Sequence, residues 1–289
     1  LATLPRLKSR VRIPSPAPIL VGSRYIRLLY CLYTTNNNFD SCINVHKSHE
    51  IKYLNMINFK NSLEKKLLLL QRNEFLSSNQ ITIRKLFGRT LFTKYLINFF
   101  QDKNLSEKVF VKIKNEFDSL KKYLPENISN VMDIGCGIGL IDIFINKHYP
   151  HCQKFYLLDK NSIDSKIVYG FSEDYESYNI SNITKNFLVN NYIDENKINL
   201  IDVENNFFIK PNSIDLCISL VSMGYHYPFS IYLDIMKEAS NDNTVFIFDI
   251  ATEYQDLDYL KKHFGKVKII ETINIKHPRI RVACYDINR

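Results

Sequence analysis

The chain has 289 residues, enough for one large domain or a domain with an appendage, and its 45% hydrophobic content is that of an ordinary soluble globular protein. No apolar run reaches the roughly 18 residues a membrane-spanning helix needs; the best, Ile19 to Tyr33, is interrupted by Arg24 and Arg27. The net charge of +8 is uneven: residues 1–55 hold eight Lys/Arg and two acids, the remainder 30 and 28, so the bulk is near neutral and nucleic acid is discounted as the default partner.

The first 55 residues read as a leader. Four of the nine prolines fall in the first 18 residues, and the first methionine is Met56. An Arg-rich, acid-poor start fits a transit peptide. A second reading starts from "VRIPSPAP" (11–18), whose back-translation GTT-CGA-ATC-CC resembles the T-arm of a transfer-RNA gene. On that reading residues 1–55 are an over-extended gene model and translation starts at Met56. We prefer it, because the segment has no convincing amphipathic helix, and on either reading the leader is expected to be disordered. Six cysteines without a CxxC pair read as reduced thiols of a cytoplasmic protein, not a disulfide framework or zinc site.

Residues 56–127 carry helical periodicity and form an expected helical appendage or lid. The segments 61–76, 81–100 and 106–124 have apolar residues at helical spacing, with Val109, Ile113, Phe117 and Leu120 on one stripe of the third. Ser106 opens that helix and Pro125 stops it.

Residues 128–289 alternate strands and helices. Strands are predicted at Val131–Ile134, Phe155–Leu158, Ile198–Ile201, Leu216–Leu220, Val245–Phe248, Val267–Ile273 and Ile280–Tyr285. Helices are predicted at Leu140–Lys147, Asn182–Asn190, Ser230–Ala239 and Gln255–His263. This rhythm gives a mostly parallel sheet covered on both faces. The last two strands are joined by the loop "NIKHPR" (274–279), too short for a crossover, so they pair as an antiparallel hairpin at one edge.

The first strand runs into "VMDIGCGIGL" (131–140). Glycines at 135, 137 and 139 with Leu140 next do not make the GxGxxG dinucleotide fingerprint, and no GKS or GKT follows for a phosphate loop. Asp133 at the strand mouth would repel a pyrophosphate on the next helix N-terminus and suits a positively charged ligand. The segment "DIGCGIG" resembles the first motif of class I S-adenosylmethionine-dependent methyltransferases. The resemblance covers about residues 128–289. It implies a seven-stranded, mostly parallel Rossmann-like sheet with an antiparallel C-terminal edge hairpin and S-adenosyl-L-methionine as cofactor. In-line transfer of its sulfonium methyl would give S-adenosylhomocysteine.

The same resemblance implies the site. Gly135 and Gly137 let the backbone pass under the methionine part, Asp133 holds the loop or the ammonium, and Gly139 permits close helix packing. Asp159, ending "KFYLLDK", takes the place of the ribose-binding acid, since a carboxylate there can accept from both vicinal hydroxyls. Cofactor contacts are thus expected at Asp133, Gly135, Cys136, Gly137, Gly139, Asp159, Lys160, Asp202 (an adenine contact beyond the third strand) and Ser219. The stretch "SLVSMGYHYP" (219–228) leaves the fourth strand and is read as a turn facing the acceptor, with Ser222, Tyr225 and Tyr227 as substrate contacts. Tyr169, in the aromatic stretch 167–179, is a further one. His226 is the candidate general base, since an oxygen acceptor must lose its proton and imidazole titrates near neutral pH. No histidine pair has metal-ligand spacing, and no metal is expected.

The acceptor is expected to be an oxygen of a small molecule or sugar. Two rivals stay open. One is a methyltransferase of RNA or protein, hinted at by the basic, aromatic "IRKLFGRTLFTKY" (83–95); the other is a non-catalytic S-adenosylmethionine-binding module.

Overall fold

A computed structural model of the chain describes residues 56–88, 92, 104–161, 179–251, 256–273 and 278–289. The leader, most of 89–103, and residues 162–178 with Tyr169 lie outside the described residues.

Three helices precede the sheet: α1 (Ser62–Gln71), α2 (Ser78–Phe87) and α3 (Leu105–Leu120). Asn61 caps α1, its side-chain oxygen accepting from the amides of Leu63 and Glu64 at 2.9 and 3.0 Å. This cap satisfies donors that have no partner inside a helix. A capping box of Ser77 and Gln80 starts α2, three residues before the predicted position, and Gly88 at φ +78° ends it. In α3 the predicted stripe is buried: Val109, Ile113 and Leu120 at 0% exposure and Phe117 at 6%. Phe110 and Phe117 meet Phe144 with centroids 5.4 and 6.0 Å apart, docking α3 on the first helix of the sheet domain.

That domain contains β1 (Asn130–Ile134), α4 (Leu140–His148), β2 (Lys154–Asp159), α5 (Ser181–Asn190), β3 (Ile198–Asp202), β4 (Ile214–Ser219), β5 (Ser222–Tyr227), α6 (Leu233–Ala239), β6 (Ser240–Ala251), α7 (Asp256–His263), β7 (Phe264–Ile273) and β8 (Arg279–Ile287). Seven strands form one sheet in the order β3-β2-β1-β4-β6-β8-β7. Six point the same way, and β8 runs antiparallel between β6 and β7. The edge hairpin expected from the short 274–279 connection is therefore present, with β7 at the edge. One apolar layer includes residues of α1, α3, α4 and α5 on one face of the sheet; the other includes α6 and α7 on the opposite face. The four predicted sheet-domain helices and seven predicted strands all occur.

Two segments differ from the sequence reading. Residues 240–244, polar "SNDNT", extend β6 well before Val245; side chains replace apolar patterning here, with Thr244 Oγ1 donating to Ile214 O at 2.6 Å and Asn241 Nδ2 to the same oxygen at 3.0 Å. Residues Ser222–Tyr227, expected to be a turn, form β5, which packs against β6. The break between β4 and β5 falls at Leu220 and Val221. Val221 sits at φ +58°, a strained conformation for a β-branched residue. Ser219 Oγ accepts from Met223 N at 3.0 Å and donates to Ile134 O at 2.6 Å, tying this break to β1.

The appendage is anchored to the sheet domain by polar side chains. Asn58 and Asn191 exchange two bonds, Asn58 N to Asn191 Oδ1 at 2.8 Å and Asn191 Nδ2 to Asn58 O at 3.0 Å. Glu64, wholly buried, accepts from Asn190 Nδ2 at 3.1 Å. These bonds hold the start of α1 on the end of α5, and its ten residues, about 15 Å of helix, carry the other end to the carboxyl edge of the sheet. Among the described residues no helix is long and apolar enough to cross a membrane, and no group of His, Cys, Asp or Glu could hold a metal ion.

Candidate functional site at the carboxyl edge of the sheet

A cleft opens where β1 ends and its neighbours β2 and β4 diverge, the usual ligand position in an open α/β sheet. Its floor is the glycine loop, Gly135 to Ile138, with Asp133 beneath and Asp159 at the β2 side. Leu220, Val221, Ser222 and Tyr227 form the β4 side, and Gln71, Arg72, Ile113 and Glu116 come from the appendage.

Asp159 organises the loop. Its Oδ2 accepts from Gly137 N at 2.7 Å and Asn179 Nδ2 at 3.1 Å, and its Oδ1 from Lys160 N at 2.8 Å. Burial pushes its carboxyl up to about 6, while these donors pull the other way. Asn179 Nδ2 also donates to Gly137 O at 2.8 Å, and Thr184 Oγ1 to the same oxygen at 3.1 Å. Asn179 and Thr184 are 2% and 0% exposed. Sequence reasoning missed both; their signal is the pairing of an amide and a hydroxyl five residues apart at the start of α5, which means little until the loop is placed against them.

The glycines are used for close approach. Gly135 lies at φ +72°, and a Cβ there would fall 1.7 Å from Ser222 Oγ; Gly137 lies at φ +56°, where a Cβ would meet Gln71 Oε1 at 2.9 Å. Gly139 abuts Leu188 of α5, so α4 packs closely at this point, here against a helix.

Asp133 is buried and does not present a free charge. Its carboxyl is held well above the usual range by burial, then by Asp142 in the first turn of α4 and by Asp159. Asp142 is 0% exposed, and its carboxyl lies against that of Asp133. Burial pushes Asp142 up to about 7. Burial thus holds both carboxyls of the pair above the usual carboxylate range.

This pair has a measurable consequence. An acid whose folded-state titration is raised favours the folded state when protonated, and loses that advantage as pH climbs from its unfolded value, here 3.8, towards about 7. A shift of this size corresponds to at most about 4 kcal/mol, and local relaxation brings it to about 2. An Asp142→Asn variant should match wild type in urea melts at pH 4.5 and be about 2 kcal/mol more stable at pH 8, since the amide donates to Asp133 without a charge. Identical pH dependence of the two proteins would disprove the raised titration of Asp142.

Of the other expected contacts, Cys136, Ser222 and Tyr227 line the cleft. Burial raises the Cys136 thiol well above its usual range, which disfavours the thiolate form. Burial, then the charge of Asp159, raises the Tyr227 phenol, which accepts from Ser222 Oγ at 3.2 Å. Ser219 is a latch inside the fold, as described above. Lys160 pairs with Glu204 at 3.0 Å. Asp202 caps its own turn, accepting from Glu204 N at 3.1 Å and Asn205 Nδ2 at 3.0 Å, beside Asp159 in register but outside the cleft lining. His226 is half-buried with its ring 6.4 Å from that of Tyr227, and it too is outside the lining. Tyr225 is in β5, and Tyr169 lies outside the described residues.

The architecture is that of a Rossmann-like α/β domain with the sheet and hairpin that the class I methyltransferase resemblance implies. No family model matches the chain. A 61-residue stretch is 30% identical to the transcription termination/antitermination protein NusA of Helicobacter pylori, spanning 21% of this chain and 15% of that protein. Similar solved structures include a precorrin-6y C5,15-methyltransferase from Geobacter metallireducens, with 13% identity, 60% of this chain and 87% of that chain covered and a TM-score of 0.40. A tRNA methyltransferase, TrmI, from Aquifex aeolicus has 12% identity, coverage of 61% and 69% and a TM-score of 0.42. An S-adenosylmethionine-dependent methyltransferase from the same organism has 11% identity, coverage of 60% and 96% and a TM-score of 0.40.

Proposed function

We propose that the chain is an S-adenosylmethionine-dependent methyltransferase. The observation that carries this reading is the cleft floor: a glycine loop bonded through Gly137 N to the half-buried carboxylate of Asp159 at the end of β2. Such an acid suits a ribose diol. The N-terminal region of α4 does not suit a pyrophosphate, because the Ile138 amide donates to Gln71 Oε1 at 3.0 Å and the Asp133–Asp142 pair lies below. A donor with a nucleoside and a positive sulfonium fits both features. When bound it supplies a methyl carbon activated for attack by a nucleophile. The protein's part is alignment in a partly desolvated cleft. Asp159 holds the ribose, and the loop backbone at Gly135 and Gly137 lies under the methionine portion. Ser222 and Tyr227 orient the acceptor.

Calorimetry with S-adenosylhomocysteine and NADH tests the reading. Binding of the sulfur ligand alone is expected; binding of NADH alone would reverse the assignment.

For the acceptor we propose an oxygen of a small molecule or sugar, with His226 taking the hydroxyl proton beside Tyr227. The two hydroxyls that Ser222 and Tyr227 bring to the cleft wall support this choice over a macromolecule. A His226→Ala variant should keep its affinity for S-adenosylhomocysteine and lose ten- to a hundredfold in turnover. Unchanged turnover would exclude His226 as the base. Labelling of transfer RNA, with no labelling across a panel of sugars and phenols, would exclude the small-molecule acceptor.

A further inference from the structure

The appendage brings an ion pair to the cleft wall. Arg72 caps α1, donating its amide to Leu68 O at 2.7 Å, and the extended backbone there (φ −118°, ψ 91°) turns the chain out of the helix. Its guanidinium donates from Nη2 to Glu116 Oε1 of α3 at 2.8 Å, and from Nε and Nη2 to Glu74 Oε1 at 2.9 and 2.5 Å. Nη1 takes part in none of these bonds. Arg72 is 16% exposed and Glu116 7%, so both charges are largely removed from water although both line the cleft. Such pairs add little net stability, because desolvation offsets most of the attraction.

Glu116 is supported from behind. Arg279 Nη2 lies 3.8 Å from its Oε1. Arg279 Nε, in turn, lies 3.0 Å from Asp249 Oδ2 without the alignment of a hydrogen bond. Arg279 and Asp249 are on β8 and β6, whereas Asp159 is on β2; β1 and β4 lie between. At about 4.8 Å per strand, the two polar ends of the cleft sit over strands about 14 Å apart. One end has an acid suited to a diol. The other has a fixed positive and a fixed negative group side by side, the complement of an α-amino-acid zwitterion.

We propose that Arg72 and Glu116 hold the amino-acid end of the methyl donor, Arg72 binding its carboxylate through the Nη1 edge and Glu116 its ammonium. This rests on the methyltransferase reading and assigns the appendage a direct part in the cofactor site. Planar guanidinium and carboxylate groups pair with good geometry, and a charge-assisted bond in a desolvated site is stronger than a neutral one.

Calorimetry with two ligands isolates this contact. S-adenosylhomocysteine carries the zwitterion, whereas 5′-methylthioadenosine shares the nucleoside and thioether but lacks it. Arg72→Ala should weaken S-adenosylhomocysteine about thirtyfold and leave methylthioadenosine within about twofold. Arg72→Lys keeps the charge beside Glu116, guards against misfolding, and should fall between. Glu116→Gln should discriminate between the ligands in the same direction. Equal weakening of both ligands, unchanged affinity for S-adenosylhomocysteine, or a rise only in the acceptor KM would overturn the clamp. Binding of neither ligand by wild type would refute the cofactor reading, and the clamp with it.

Discussion

Replacing Asp159 with alanine is expected to lower affinity for S-adenosylhomocysteine by two to three orders of magnitude, measured by calorimetry at pH 7.5. The ionised carboxylate would accept from two ribose hydroxyls, and charge-assisted bonds to a buried group contribute about 1.5–3 kcal/mol each. Part of the loss comes through the loop, since Gly137 N–H would have no acceptor. Asn179 and Thr184 still bind Gly137 O, so the loop should stay in place and the melting temperature should change little. The wild-type protein should show the matching pH effect. Burial sets the Asp159 carboxyl at about 6. Affinity should therefore be full above that pH and fall as the group takes up its proton below it. An Asp159→Ala protein that binds as tightly as wild type, with the same decline at low pH, would remove Asp159 from the site.

Arg281→Met should destabilise the fold by about 3–5 kcal/mol, the usual cost of stripping one partner from a buried ion pair. Arg281 is 0% exposed on β8 and faces Asp249, also 0% exposed, on the paired strand β6. It grips the carboxylate with both edges of its fork, Nε to Oδ1 at 2.6 Å and Nη2 to Oδ2 at 2.9 Å. Its Nη1 bonds Glu271 at 2.8 Å and Ser119 Oγ of α3 at 3.2 Å, fastening α3 and β7 to the same point. Without it, among the described residues, Asp249 keeps only the poorly aligned Arg279. A double variant, Arg281→Met with Asp249→Leu, should recover part of the lost stability in urea melts, because an apolar pair avoids desolvation while Arg279 is left with Glu116 at 3.8 Å. A single variant as stable as wild type would mean the pair is not buried in solution. A double variant no better than the single would mean that packing, not charge, is responsible.

Period and spacing made most of the fold legible in the order of residues. Alternating apolar runs located the seven strands of the sheet, and the short 274–279 connection required an antiparallel final pair. The apolar stripe of α3 marked its buried face because helix geometry repeats every 3.6 residues whatever lies opposite. The exceptions have local causes. "SNDNT" does not look like strand, and its extension of β6 depends on Thr244 and Asn241 finding Ile214 O. "SMGYHY" does not alternate as an isolated strand would, and β5 depends on the Ser219 latch and a strained Val221.

The site divided along the same line. Chain-local chemistry, glycines after a strand and acids at strand ends, is written in the sequence itself, so "DIGCGIG" and Asp159 were found directly. Charges meeting across long separations are not. Arg72 reaches Glu116 over 44 positions, and Gln71 reaches Ile138 over 67. Asp142 sits in a first helical turn, where a negative charge is ordinarily favourable; only its burial against Asp133 raises its carboxyl. By itself the sequence determined the sheet, the loop and the acid at the end of β2, because these follow from backbone periodicity and neighbouring residues. Tertiary structure alone decided which charges are desolvated together, and so which side chains of the appendage reach the cleft, because burial depends on what the rest of the chain brings to each residue.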